Sequence, residues 1–364
     1  MATVSLCMIV RNEEDVLGRC LESVKDIVDE IIIVDTGSTD KTKEIAGRFT
    51  NAVYDFPWID DFSAARNFSF SKATMDYQMW LDADDVIEEE DRKKFQQMKE
   101  ELDGSTDVVM MPYQVAFDQK GNPTMTYYRE RLLKRSRRFL WQGAVHEVIT
   151  PAGTILYGKA AVCHRKLHPS DPDRNLKIYE TMKEHGGITD PRHQFYYARE
   201  LFYHGRYEEA AAMFLTFLEE GRGWIENNIS ACLDLSHCYA RMGKREEALQ
   251  ALFRSFRYDL PRPELCCEAG KWFMEQGGSD KGNLKQAVYW YLRAKDQKTN
   301  EESGAFVNPD CSDFIPDIQL CVCYDRLGER EKALEYHEKS KKKKPDHPAV
   351  LFNEAYFAGT TQGR

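Results

Sequence analysis

Three carboxylates close the stretch Trp80-Leu81-Asp82-Ala83-Asp84-Asp85. The apolar run Met79-Trp80-Leu81 leads into them, as at the end of a short buried strand. Carboxylates that close raise one another's pKa unless a positive charge stands between them. A divalent cation bridging to phosphate oxygens meets that need, because Mg²⁺ takes one or two carboxylates together with substrate phosphates. The same acids would also suit a polar turn capping a helix that starts near Glu88. What precedes them in the chain favours the metal.

Two further apolar runs end in polar loops. Val4–Val10 meets Arg11-Asn12-Glu13-Glu14, and Glu30–Val34 meets Asp35-Thr36-Gly37-Ser38-Thr39-Asp40. Helical spacing follows each, through Val16, Leu17, Cys20, Leu21 and Val24, then through Thr42, Ile45, Ala46 and Phe49. Continuous β-branched runs are typical of strands buried on both faces. Strand, loop and helix in alternation predict a doubly wound, mostly parallel sheet. Ligands of such sheets sit outside the carboxyl ends of the strands, where all three polar loops fall. Gly37 would let backbone approach a ligand, while Ser38 or Asp40 would cap the next helix. Asp61 or Ser63 would cap a helix carrying Arg66, whose fork can contact two phosphate oxygens; on spacing alone Arg66 also suits a solvated helix face. No G-x-G-x-x-G follows the first strand and the chain has no G-x-x-x-x-G-K-[ST], which disfavours dinucleotide dehydrogenases and P-loop enzymes.

Four segments in this order and spacing, Met8–Glu14, Val34–Asp40, Phe62–Asn67 and Leu81–Asp84, resemble a family 2 glycosyltransferase of the GT-A fold over roughly residues 3–168. The resemblance implies that Asp35 contacts the uracil of a UDP-sugar and that Arg66 grips the diphosphate. It places Asp82 near ribose and metal and makes Asp84 the metal ligand, with Mg²⁺ or Mn²⁺ as cofactor. Many members carry an aromatic residue where this chain has Arg11, whose guanidinium can also stack on a base.

The basic run Arg129–Arg138, with Arg131 as a further donor contact, could neutralise a leaving diphosphate or protect an edge strand. Trp141-Gln142-Gly143-Ala144-Val145-His146-Glu147 resembles a stretch of transferases joined to helical repeats, among them the sublancin-type peptide S-glycosyltransferases. There it lies beside the donor sugar, which makes Glu147 the candidate general base and His146 a candidate metal contact. Read as a strand, the two side chains would point to opposite faces and suit a cross-strand salt bridge. His164 is a second candidate metal ligand, since imidazole binds Mn²⁺ readily.

The 364 residues suggest two domains. A boundary is expected near residue 170, giving 1–170 as the GT-A domain and 171–364 as an all-α domain. Gly205 and Ala210, Gly243 and Ala248, and Gly328 and Ala333 repeat one five-residue offset, with a weaker copy at Ala287. Small residues at fixed offsets let helices pack closely across short turns, and the pattern resembles tetratricopeptide repeats. Extensions between repeats are expected at Gly277–Gly282 and Thr299–Pro309. Tyr196, Tyr197, Tyr203, Trp224 and Tyr239 would supply aromatic surface. A net charge of −10 argues against nucleic acid as partner. Ten cysteines without a C-x-x-C pair fit a reducing cytosol, and no run reaches the ~18 apolar residues of a membrane span, so a cytoplasmic protein is expected. The expected function is an inverting, metal-dependent transfer of a hexose from a UDP-sugar (UDP-glucose or UDP-N-acetylhexosamine) to a peptide Cys or Ser. A glycan or glycolipid acceptor and a non-catalytic repeat adaptor are the rivals. Homodimerisation through the repeats stays open.

Overall fold

The computed structural model describes residues 2–117, 121, 123–168, 171–277, 280–297 and 308–361; of the two expected repeat extensions, 278–279 and 299–307 lie outside them. The chain divides into two compact units, Met1–Ile188 and Thr189–Arg364.

The first unit is built on nine strands: β1 (Val4–Val10), β2 (Glu30–Asp35), β3 (Val53–Asp55), β4 (Tyr77–Trp80), β5 (Asp85–Val86), β6 (Val108–Phe117), β7 (Pro123–Lys134), β8 (Ile155–Tyr157) and β9 (Val162–His164). Its helices are α1 (Leu17–Val24), α2 (Thr42–Ala46), α3 (Phe62–Lys72), α4 (Glu89–Glu101) and α5 (Arg174–His185). The strands follow the order β3-β2-β1-β4-β7-β6-β9-β5, with β8 also on β6. β3, β2, β1 and β4 are parallel, so the ends of β1, β2 and β4 deliver their loops to one edge. β7 reverses direction between β4 and β6, and β5 runs against β9, so the sheet is mostly parallel, as expected, with antiparallel pairings at β7 and β5. β7 is paired on both sides at Leu132–Lys134, whereas Arg129 and Glu130 of the basic run pair with β6 alone.

Side chains alternate between two cores, as the two-residue period requires. Val4, Leu6, Met8 and Val10 of β1 join Met79 of β4 and Leu132 of β7 on one face. Cys7, Trp80 and Leu133 join Phe70, Trp141 and Ile149 on the other. Asp61 caps α3, accepting from Ala64 N–H at 2.9 Å. The first unit runs past residue 170 because α5 packs back on it: Arg174 lies 4.8 Å from the Phe62 ring centre, and Tyr179 stacks on His146.

The second unit is helical: α6 (Pro191–Tyr203), α7 (Tyr207–Glu220), α8 (Ile225–Arg241), α9 (Arg245–Arg254), α10 (Pro263–Gly277), α11 (Lys281–Asp296), α12 (Phe314–Leu327), α13 (Arg330–Lys343) and α14 (Pro348–Thr361). α6 packs on α7, α8 on α9, α10 on α11 and α12 on α13, and successive hairpins stack. This is a tetratricopeptide-like array. Gly205, Gly243 and Gly328 adopt positive φ of 73°, 75° and 82° in the inter-helix turns. That region is free of steric cost only for glycine. Ala210, Ala248, Ala287 and Ala333 are buried in the second helix of each pair. Of the expected surface aromatics, Tyr203 and Trp224 are exposed, whereas Tyr197 is core. No helix among the described residues is long and apolar enough to cross a membrane.

At Gly223, between α7 and α8, an added methyl would overlap the Phe217 ring and the Asn228 side chain. Phe217 is fully buried and cannot yield. Gly223→Ala is expected to destabilise the protein by about 1–3 kcal/mol, the usual range for overpacking, as read from denaturant unfolding. Equal midpoints for the two proteins would show that the turn relaxes.

Candidate functional site

The loops after β1 and β2 are stitched together. Asn12 N–H donates to Ser38 Oγ at 2.9 Å, and Thr39 N–H donates to Asn12 Oδ1 at 2.8 Å. Glu13 N–H reaches Thr42 Oγ1 at 2.7 Å, and Lys41 N–H reaches Glu14 Oε2 at 3.0 Å. Asp40 takes Thr42 N–H at 2.9 Å and so serves the start of α2, while Ser38 is used across the loops. Arg11 stands exposed on this rim. Asp35, at the end of β2, is buried, and its Oδ1 accepts from Gly37 and Ser38 N–H at 2.9 Å each. Its Oδ2 is buried without a hydrogen-bond partner.

The α3 motif grips the segment after β7. Phe62 N–H donates to Ala144 O at 2.8 Å, and Asn67 exchanges two 2.9 Å bonds with the Trp141 backbone. Arg66 is buried, not on a solvated face. Its Nε donates to Glu147 Oε1 at 2.7 Å and its Nη2 to Asp82 Oδ1 at 2.8 Å. The guanidinium lies 4.7 Å from the Trp141 ring centre and 5.2 Å from that of Trp80. The His146–Glu147 segment is a turn rather than a strand, with His146 at φ 52°. His146 therefore faces Tyr179, its ring 6.3 Å away and nearly parallel, while Glu147 faces Arg66.

The acidic loop after β4 does not cap α4, whose first turn takes no side-chain bond from its cap residue. Burial raises the Asp82 carboxyl's pKa, but Arg66 and then Arg131 outweigh it and hold the group down at about 2. Glu13 is pushed up to about 7 by burial, and further by Asp84, Asp82 and Asp40. Asp84, Asp85 and His164 form the cluster able to hold a cation among the described residues, with one ligand atom of each within 4.8 Å of the others. Pairing of β5 with β9 sets Asp85 opposite His164. His164 Nδ1 is 3.3 Å from Asp84 Oδ1 and 3.2 Å from Asp85 Oδ1. Its pKa is raised to about 10, first by hydrogen bonds to those two acids and against the opposing effect of burial. A carboxylate–imidazole set of this kind suits Mn²⁺ or Mg²⁺. His146 is not part of this cluster.

Arg131 has no exposed surface and is ion-paired to Asp85 at 3.1 Å. The structure thus brings Asp82, Asp84, Arg66, Glu147 and His164 into one neighbourhood at the sheet edge that also carries Asp35. Sequence reading missed Tyr113 and the Asn67–Trp141 clamp, and it placed Glu13 and Asp85 in the ligand-facing loops without giving either a role of its own. Adjacency of Asn67 to Arg66, and of Asp85 to Asp84, was the available signal.

Fold and site together define a GT-A-type domain with a tetratricopeptide-like unit after it. Residues 5–161 match the sequence model of Glycosyl transferase family 2. The SPbeta prophage-derived glycosyltransferase SunS of Bacillus subtilis is 30% identical over 231 residues, covering 57% of this chain and 51% of SunS. The TPR repeat-containing protein Synpcc7942_0270 of Synechococcus elongatus is 54% identical over 87 residues, 24% of this chain and 22% of that protein. The lipopolysaccharide core biosynthesis glycosyltransferase LpsC of Rhizobium meliloti is 27% identical over 164 residues, 42% of this chain and 58% of LpsC. The chain spans about half the length of SunS and about a fifth of the Synechococcus protein.

Arg66 neutralises two carboxylates at once. Arg66→Met is expected to cost about 3 kcal/mol, at the low end for breaking a buried pair because Asp82 is partly exposed. Arg66→Lys, which keeps the charge, should lose less. Denaturant unfolding reads both, and a loss below about 1 kcal/mol for Arg66→Met would show that the two acids find other partners.

Proposed function

We propose that this chain is an inverting, metal-dependent glycosyltransferase that moves a hexose from a UDP-sugar to an acceptor, with a peptide as the acceptor class. The observation that carries the reading is the meeting of two features at one sheet edge. Asp35 keeps a buried acceptor oxygen without a donor, which the N–H of a uracil base would satisfy. Asp84 and His164, paired with each other at 3.3 Å, each offer a ligand atom within 4.8 Å of the other, a spacing that a divalent cation would bridge. Arg11 on the rim is in place to stack on the base.

In this proposal Asp84 and His164 hold Mg²⁺ or Mn²⁺, and Asp82 lies toward the ribose. When bound, the metal supplies charge stabilisation to the departing UDP. Arg66 orients the diphosphate, which requires its fork to trade a carboxylate for phosphate oxygens. Glu147 takes the acceptor's proton through Oε2, since Oε1 already accepts from Arg66. A cysteine thiol needs less of this help than a hydroxyl, being partly ionised near neutral pH. The resemblance of Trp141–Glu147 to peptide S-glycosyltransferases supports the peptide acceptor. A glycan acceptor is the second reading, favoured by the match to LpsC. The reading is of a cytoplasmic protein that binds no nucleic acid. A non-catalytic adaptor would leave Asp35, Asp82 and Asp84 without a task.

UDP release from a panel of UDP-sugars, with and without Mn²⁺, tests the donor without an acceptor. Asp84→Ala is expected to abolish release while thermal unfolding stays within a few degrees, and EDTA should have the same effect. Full activity of Asp84→Ala would remove the metal from the reading. For the acceptor, a chain truncated after Ile188 is expected to retain UDP-sugar hydrolysis and to lose transfer to a cysteine-containing peptide. Transfer with an unchanged KM would take the repeats out of acceptor binding.

A further inference from the structure

One charged group has no task in the proposed reaction. Arg131 lies on β7 inside the sheet with no solvent-exposed surface. Arginine keeps its proton in proteins, so such burial is unfavourable unless the charge is used. The guanidinium is held between the Trp80 ring, 3.8 Å from its centre, and the Tyr113 ring, at 4.3 Å. Its Nη1 donates to the Trp80 carbonyl at 3.1 Å and is ion-paired with Asp85 Oδ2, also at 3.1 Å.

Asp85 is equally buried, and both its oxygens are occupied. Oδ2 also accepts from Asp82 N–H at 3.1 Å. Oδ1 accepts from Tyr113 O–H at 2.9 Å and stands 3.2 Å from His164 Nδ1. A metal ligand must aim a lone pair at the ion, and those of Asp85 are aimed at protein donors. The three side chains of the cation cluster are therefore not equivalent: Asp85 touches both the backbone of the acidic loop and the imidazole. A carboxylate on one nitrogen of a metal-binding imidazole fixes the ring and leaves the other nitrogen for the ion, so Asp85 on Nδ1 leaves Nε2 of His164 for the cation.

We propose that Arg131 is a positioning residue, which fixes Asp85 and through it sets Asp84 and His164 for a divalent cation. Asp85 is the anchor of that site rather than a ligand in it. The inference rests on the metal reading above. It makes the Arg131–Asp85–Tyr113 group a determinant of metal affinity from inside the sheet.

The test is Mn²⁺ affinity of the full chain, read from the electron paramagnetic resonance signal of free Mn²⁺, beside thermal unfolding. Arg131→Met is expected to weaken Mn²⁺ about 10–100-fold, as loss of outer partners does at other metal sites. Arg131→Lys, which restores charge without the fork, should fall between Arg131→Met and the unsubstituted chain. Tyr113→Phe keeps the ring and loses one donor to Asp85, so it should weaken Mn²⁺ about tenfold; it carries the test if Arg131→Met does not fold. Adding Asp85→Asn to Arg131→Met should bring no further loss, because the two act in series. A further loss of tenfold or more in the double variant would make Asp85 a ligand and overturn the anchor role. Mn²⁺ affinity within twofold of the unsubstituted chain in folded Arg131→Met or Tyr113→Phe would overturn the positioning role alone. No Mn²⁺ binding by the unsubstituted chain would overturn the metal reading, and this inference with it.

Discussion

The site depends on charge buried beside one tryptophan. Trp80 ends β4, and three guanidiniums gather on its ring: Arg131 at 3.8 Å, Arg129 at 4.8 Å and Arg66 at 5.2 Å. Each is matched by acid: Arg131 with Asp85, Arg129 with Glu130, and Arg66 with Asp82 and Glu147. Taking ions out of water costs about as much as their attraction returns, so such pairs are weak evidence for stability. What they give here is placement. A carboxylate with a guanidinium on one oxygen has few other orientations, and the neighbouring guanidiniums hold the half-buried Asp82 carboxyl down at about 2. The network joins β4, β7, α3 and the Trp141–Glu147 segment, so the strands and the catalytic candidates are fixed by the same bonds.

The parts of the fold that are periodic were legible in the sequence. β1 covers the run Val4–Val10, and α1 buries Leu17, Cys20, Leu21 and Val24, the residues that its spacing singled out. The repeats were legible because a positive-φ glycine and a buried alanine recur where the α6–α7, α8–α9 and α12–α13 hairpins close. β6 and β7 were not, because charge interrupts the pattern of β7. Arg129, Glu130 and Arg131 are tolerated inside a sheet only because acids and rings from distant segments surround them. The reversal of β7 was hidden for the same reason: long-range pairing, not local pattern, sets its direction.

Within the site, residue type was legible and residue role was not. Asp82, Asp84 and Asp85 are the same letter within four positions, yet one pairs with Arg66, one faces His164 and one is fully buried. His146 and His164 looked interchangeable as ligands. A turn with His146 at positive φ sends one imidazole to Tyr179, while β5–β9 pairing sets the other beside the acids. Arg66 and Arg131 differ in the same manner. Both are buried, but Arg66 bonds the side chains of a loop and a turn, whereas Arg131 bonds the strand end itself. These assignments follow from backbone direction, which no spacing of letters encodes.

Asp35 is the exception that bears most directly on ligand chemistry. Among the described residues it is the only carboxylate with a buried oxygen that lacks a hydrogen-bond partner. Leaving a buried acceptor unsatisfied costs roughly 1–3 kcal/mol, and the loop around it is not short of donors. Gly37 and Ser38 both give their N–H groups to the other oxygen. The loop's fold thus concentrates its donors on Oδ1 and leaves Oδ2 as a single directed acceptor. A ligand that brought one N–H to the end of β2 would offset that cost. A base with an N–H between two carbonyls meets that condition. A phosphate, which has only acceptors to offer beside a carboxylate, does not. Under the proposed reading the nucleotide's base would meet Asp35, and its phosphates would lie toward Arg66 and the Asp84–His164 pair.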